Sequence, residues 1–83
     1  MKNKQNQKYK VLQRLIAEGN ITNAYALSVF KVQNLSRVIH QLRRHNGITI
    51  KTRDYRQEDG MTVAVYELPH YERQHAKEVL DFV

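Results

Sequence analysis

The chain contains no cysteine, which excludes a disulfide framework and a thiolate metal site. It has no apolar run near the roughly 20 residues of a membrane span. Its first ten residues, MKNKQNQKYK, lack the apolar core of a signal peptide. These absences predict a soluble protein of a reducing cytoplasm. Serine is scarce as well: only Ser28 and Ser36 occur, neither in a nucleophile elbow. There is no glycine-rich phosphate loop and no paired carboxylate suited to acid–base work. Tyr55 and Tyr71 invite a recombinase-type nucleophile, but 83 residues do not supply the clustered Arg and His such a tyrosine needs. The chain is therefore not expected to be an enzyme, and no cofactor is implied.

Acidic residues are nearly missing from most of the chain. Residues 1–57 hold twelve Lys and Arg against only Glu18 and Asp54, a net +10, whereas residues 58–83 carry a net −4. A basic body with a mildly acidic end suggests a polyanion bound on one side, although a basic balance also serves plain solubility. The four histidines offer little to a metal. His40 and His45 are five apart, as are His70 and His75. On a helix that spacing turns them roughly 140° from each other, so neither pair converges, and no metal site is expected.

Eighty-three residues make one small domain that buries about 60–65% of its unfolded surface. Residues 1–6 are polar and unpatterned, a flexible basic arm. Val11, Leu12, Leu15 and Ile16 mark a first amphipathic helix over residues 7–18, ended by Gly19-Asn20. Ile21 makes a short extended contact. Thr22 caps a second helix over about 23–30, with Ala26, Leu27 and Phe30 facing inward and Ala24 small enough for a close crossing. After a short connection at Lys31-Val32, Asn34 is the best cap for a third helix that ends at His45-Asn46-Gly47.

The third helix is the most informative stretch. In QNLSRVIHQLRR, residues 33–44, Leu35, Val38, Ile39 and Leu42 form one apolar stripe. The opposite face carries Gln33, Arg37, His40 and Arg44, flanked by Ser36 and Gln41, and the segment has no acidic residue. Arg reads guanine edges, Gln and Asn read adenine, and Ser reads either. The same pattern also describes a solvated face on an ordinary core helix. Beyond it, Ile48 and Ile50 alternate with Thr49 and Lys51 as a period-two strand. The strand TVAVYEL returns over residues 62–68, with Ala64, Tyr66 and Leu68 on one face. Asp59-Gly60 marks a turn, and the connection RDYRQEDG reads as too long for a tight hairpin, with a mobile tip. Pro69 closes the strand. Residues 71–83 look helical, with Ala76, Val79, Leu80 and Val83 on one stripe. That stripe either completes the core or pairs with a second copy in a homodimer.

Three helices, a hairpin and a last helix predict an α+β, mainly helical fold: a winged helix-turn-helix with an extra C-terminal helix. The domain would span residues 7–68, followed by the helix at 69–83. The chain resembles the small winged helix-turn-helix domains of bacteriophages and prophages, which run I-T-x-x-x-A-L-x-x-F, then L-S-x-x-I-x-x-L-R, then Gly and I-x-T, then A-x-Y-x-L. The matching residues are Ile21, Thr22, Ala26, Leu27 and Phe30; Leu35, Ser36, Ile39, Leu42 and Arg43; Gly47, Ile50 and Thr52; and Ala64, Tyr66 and Leu68. The match covers about residues 9–68. It departs at Lys31, where the turn usually has Gly, so the turn geometry is expected to differ. The helix at 71–83 lies outside it.

The resemblance implies double-stranded DNA binding, in phage gene regulation or in accessory DNA transactions. The residues expected to contact DNA are Gln33, Asn34, Ser36, Arg37, His40, Gln41, Arg43 and Arg44 on the third helix, and Lys51, Arg53 and Arg56 on the wing. Arg43, nearer the core stripe, is expected to reach a phosphate or cap the helix. Lys2, Lys4, Lys8 and Lys10 could track phosphates from the arm. Such a protein would work in the bacterial cytoplasm, on the nucleoid when bound. The rival reading is a protein-interaction module that inhibits a host protein. RNA binding lacks an aromatic platform.

Overall fold

The computed structural model describes residues 6–82. The arm at residues 1–5, with Lys2 and Lys4, and Val83 of the C-terminal stripe lie outside them. The elements follow one another as α1 (Gln7–Glu18), β1 (Asn20–Thr22), α2 (Asn23–Phe30), α3 (Leu35–His45), β2 (Lys51–Arg56), β3 (Thr62–Glu67), a 3-10 turn (His70–Glu72) and α4 (Arg73–Leu80). Helices and antiparallel sheet meet in one core, as expected of a winged helix-turn-helix.

Local chemistry starts and stops the helices. Asn6, assigned to the arm by its polarity, caps α1 through Oδ1, which accepts from the Lys8 N–H at 2.7 Å. Gly19 ends α1 in the left-handed conformation. Thr22 caps α2 by accepting from the Tyr25 N–H at 3.1 Å. Asn34 caps α3 by accepting from the Arg37 N–H at 3.2 Å. The α3 stripe of Leu35, Val38, Ile39 and Leu42 is buried with Val11, Leu12 and Leu15 of α1. Each such side chain contributes about 1.5–3 kcal/mol when removed from water. A single Ile39→Ala exchange would therefore forfeit a large share of a small domain's stability.

α2 departs from the expected packing. Ala26 is buried, but Leu27 is 53% exposed. The helix is rolled towards Tyr25, whose ring meets Phe30 edge-on at 5.4 Å and lies under the Arg14 guanidinium at 4.0 Å. One edge-on aromatic pair and a cation over a ring outweigh one Leu on an eight-residue helix.

The sheet has three strands in the order β1-β3-β2. Ile21 is more than an extended contact. It pairs with Tyr66 across an antiparallel ladder, and the Leu68 N–H reaches the Gly19 carbonyl at 2.9 Å, tying the start of the motif to the returning strand. Ile48 and Ile50 are buried but lie outside any ladder, and β2 begins only at Lys51. β2 then pairs with β3 continuously from Lys51↔Glu67 to Arg56↔Thr62. The first half of RDYRQEDG is therefore strand. The loop is residues 57–61, closed by the Gln57 N–H to the Met61 carbonyl at 2.7 Å and the Gly60 N–H to the Gln57 carbonyl at 3.0 Å. Every residue of β2 is exposed, so no burial-driven alternation marked it.

α4 packs on α1. Ala76 is fully buried, and Val79 and Leu80 lean on the core, so the described part of the stripe packs within the chain. The element is also latched at its start. Glu72 Oε1 accepts from the Thr49 N–H at 2.6 Å and faces His75 Nδ1 at 3.6 Å. The Thr49 N–H holds the Glu72 carboxyl below the ordinary carboxylate range. A depressed acid contributes stability that is present above its unfolded pKa and lost as pH falls through the folded one. Glu72→Gln is therefore expected to melt below the parent at pH 7. Thermal melts across pH should show the gap closing below about 4.3.

Candidate nucleic-acid interface

The α3 face opposite the core stripe is open to solvent. Gln33, Arg37, His40 and Arg44 are exposed and Gln41 is half-buried. None of these five side chains has a hydrogen-bond or ion-pair partner among the described residues. They project because α3 commits its other side to the core. Their alignment follows from the Asn34 cap at one end and a closed turn after the other.

Two neighbours on this face are already engaged. Asn34 Oδ1 accepts from both the Arg37 N–H and the Ser36 hydroxyl, the latter at 3.0 Å, so this oxygen and the Ser36 proton serve the cap. Asn34 keeps its amide N–H groups for a partner.

Arg43 does not cap the end of α3 but turns towards the wing. Its Nε donates to the Ile50 carbonyl at 2.9 Å, Nη2 donates to the same carbonyl and to Thr52 Oγ1, the last at 2.9 Å, and the guanidinium lies 6.0 Å from the Tyr66 ring centre. The Ile50 carbonyl has left α3 and precedes the ladder, so it needs a donor from elsewhere, and the long guanidinium fork supplies one. Arg43 thus braces the wing against α3, with two N–H groups of Nη1 left over.

The wing cations do not lie together. Strand alternation puts Lys51 and Arg53 on one face and Arg56 on the other, the face of Thr52 and Tyr66. Arg53 is held by Glu67 at 3.6 Å and stacks on Tyr55 at 5.1 Å. Lys51 and Arg56 have no side-chain partner among the described residues. Exposed pairs like Arg53–Glu67 contribute little to stability.

A groove of about 510 Å³ opens at the first turn of α3, lined by Gln7, Lys31, Gln33, Asn34, Arg37 and Gln41 and floored by Val38. It joins the start of α1 to the turn between α2 and α3. Gln7 and Lys31 carry no signal at α3 spacing, because neither lies on the α3 face. The one available signal was Lys31 standing where related turns carry Gly.

Among the described residues, no three His, Asp or Glu come close enough to hold a metal ion, and no helix is long and apolar enough to cross a membrane.

Capped α2 and α3 joined by a short turn, with a braced hairpin following, form a helix-turn-helix with a wing, a fold that points to DNA binding. No curated protein and no solved structure matches the chain. The family described as winged helix-turn-helix domain matches residues 6–71. That match takes in α1, the motif and the wing, and ends within the 3-10 turn. The chain belongs to the winged helix-turn-helix domain family.

Proposed function

We propose that the protein is a sequence-selective double-stranded DNA-binding protein, acting in a bacteriophage or mobile element as a transcriptional regulator or an accessory factor in DNA transactions. It acts by binding rather than by catalysis, in the cytoplasm of the bacterial host. The observation that carries this reading is the α3 face: four exposed side chains with unoccupied donors over a fully committed apolar stripe, with no acid in the segment. Arg37, His40, Gln33 and Arg44 read base edges. Lys51, Arg56 and the remaining donors of Arg43 hold phosphates, which fix register without reading sequence. A homodimer on two half-sites would use the exposed Tyr71 and Phe82 that flank α4, since Ala76, Val79 and Leu80 face their own core. The competing reading, inhibition of a host protein, draws on α2, which has no charged residue and leaves Leu27 and Val29 each 53% exposed.

Selection from random-sequence duplex DNA at two salt concentrations separates these. A short enriched motif is the expected result, with log affinity falling against log salt at about 0.9 per phosphate contacted. A palindromic motif indicates two copies. No retention at low salt sinks the DNA reading in favour of a protein partner.

A further inference from the structure

Four described residues have positive φ: Gly19, Gly47, Gly60 and Lys31, the last at 61°. All three glycines of the chain are used this way, and Lys31 is the exception. The two helices of the motif supply an internal comparison. α3 closes with the Ile48 N–H donating to the Leu42 carbonyl at 3.2 Å, Gly47 left-handed and Ile48 buried. α2 closes with the Val32 N–H donating to the Ala26 carbonyl at 3.0 Å, Lys31 left-handed and Val32 buried. The closure and the apolar plug are the same, yet one site has glycine and the other a residue whose Cβ crowds the following carbonyl.

Folding does not account for the lysine. The turn at Lys31 takes the left-handed form that glycine would fill without strain. Lys31 is exposed, and its ammonium has no hydrogen-bond or ion-pair partner among the described residues. What it does is line the groove with Arg37, beside the amides of Gln7, Gln33 and Gln41 and with no acid in the lining. The Arg37 N–H is already taken by Asn34, so the groove's positive character comes from the Lys31 and Arg37 side chains rather than from a free helix end.

We propose that Lys31 takes a phosphate of the DNA backbone at the entrance to α3, in the groove whose positive field the Arg37 side chain shares while it reads a base edge, with the closed turn holding Lys31 in fixed relation to the reading face. The strained residue is kept for binding, as strain retained at a functional site implies. The proposal rests on the DNA-binding reading.

The test compares the parent chain with Lys31→Gly, Lys31→Arg and Lys77→Gln, measuring melting temperature and affinity for the selected duplex over a salt series. Lys31→Gly is expected to melt a few degrees higher while binding about five- to tenfold more weakly near 0.1 M salt, with the salt slope shallower by about 0.9. Its motif should be unchanged. Lys31→Arg should keep the affinity and slope of the parent. Lys77→Gln, which removes a charge from α4, should leave the slope alone. If Lys31→Gly binds like the parent, or Lys77→Gln weakens binding equally, the Lys31 phosphate contact is wrong while the DNA reading stands. A parent chain that fails to bind DNA at low salt overturns both.

Discussion

A chain ending at Leu68 is expected to lose its cooperative unfolding transition. α4 supplies Ala76, with no exposed surface, and the flanking Val79 and Leu80. Removing them and uncovering the α1 surface beneath forfeits roughly 5 kcal/mol of apolar burial. A domain of this size has only about 4–12 kcal/mol in total. The deletion also leaves the Thr49 N–H without the Glu72 carboxylate that receives it at 2.6 Å. Circular dichroism melts and gel filtration would show a broad, non-cooperative loss of helix, and Leu80→Ala in the full chain a milder drop in melting temperature. The informative contrary result is a truncated chain that stays folded and monomeric but binds DNA weakly. It would mean that the last helix acts between copies rather than within one.

Arg37→Ala is expected to relax base preference at one position of the selected motif and to weaken binding about 10- to 100-fold. One bidentate Arg–guanine pair discriminates by about 1–3 kcal/mol, and the Arg37 side chain carries no structural bond that its loss would break among the described residues. The melting temperature should therefore barely move. Arg43→Ala should do the reverse. It removes the donors that Ile50 and Thr52 accept from, so it should lower the melting temperature and leave the motif intact. The two variants together separate reading from bracing on one helix. Selection and sequencing with each, alongside melts, provides the check. An Arg37→Ala protein with unchanged affinity and motif would show that α3 does not enter the groove this way.

Several parts of this fold were legible before any coordinates. The α3 stripe was plain because eleven residues bury one face at helical spacing, so Leu35, Val38, Ile39 and Leu42 repeat where a core must. Thr22, Asn34 and Gly19 were legible because caps are set by one side chain or one missing Cβ. β2 was not. A wing projects beyond the core and is wet on both faces, so KTRDYR has no alternation to read, and only pairing with β3 defines it. Leu27 misled because α2 is short and its roll was decided by Tyr25, Phe30 and Arg14, a contact set drawn from two helices.

The sequence alone determined the order of the helices and the hairpin, the two-faced pattern of α3 and the net positive charge, since each is written in neighbouring residues or in a sum over them. Tertiary structure decided which cations are available. Arg43 turns inward because the Ile50 carbonyl needs a donor, Arg53 is drawn to Glu67 by the strand register, and Lys31 meets Arg37 only because a left-handed turn folds them onto one groove. Those are relations between residues distant along the chain or across a turn, and no local pattern encodes them.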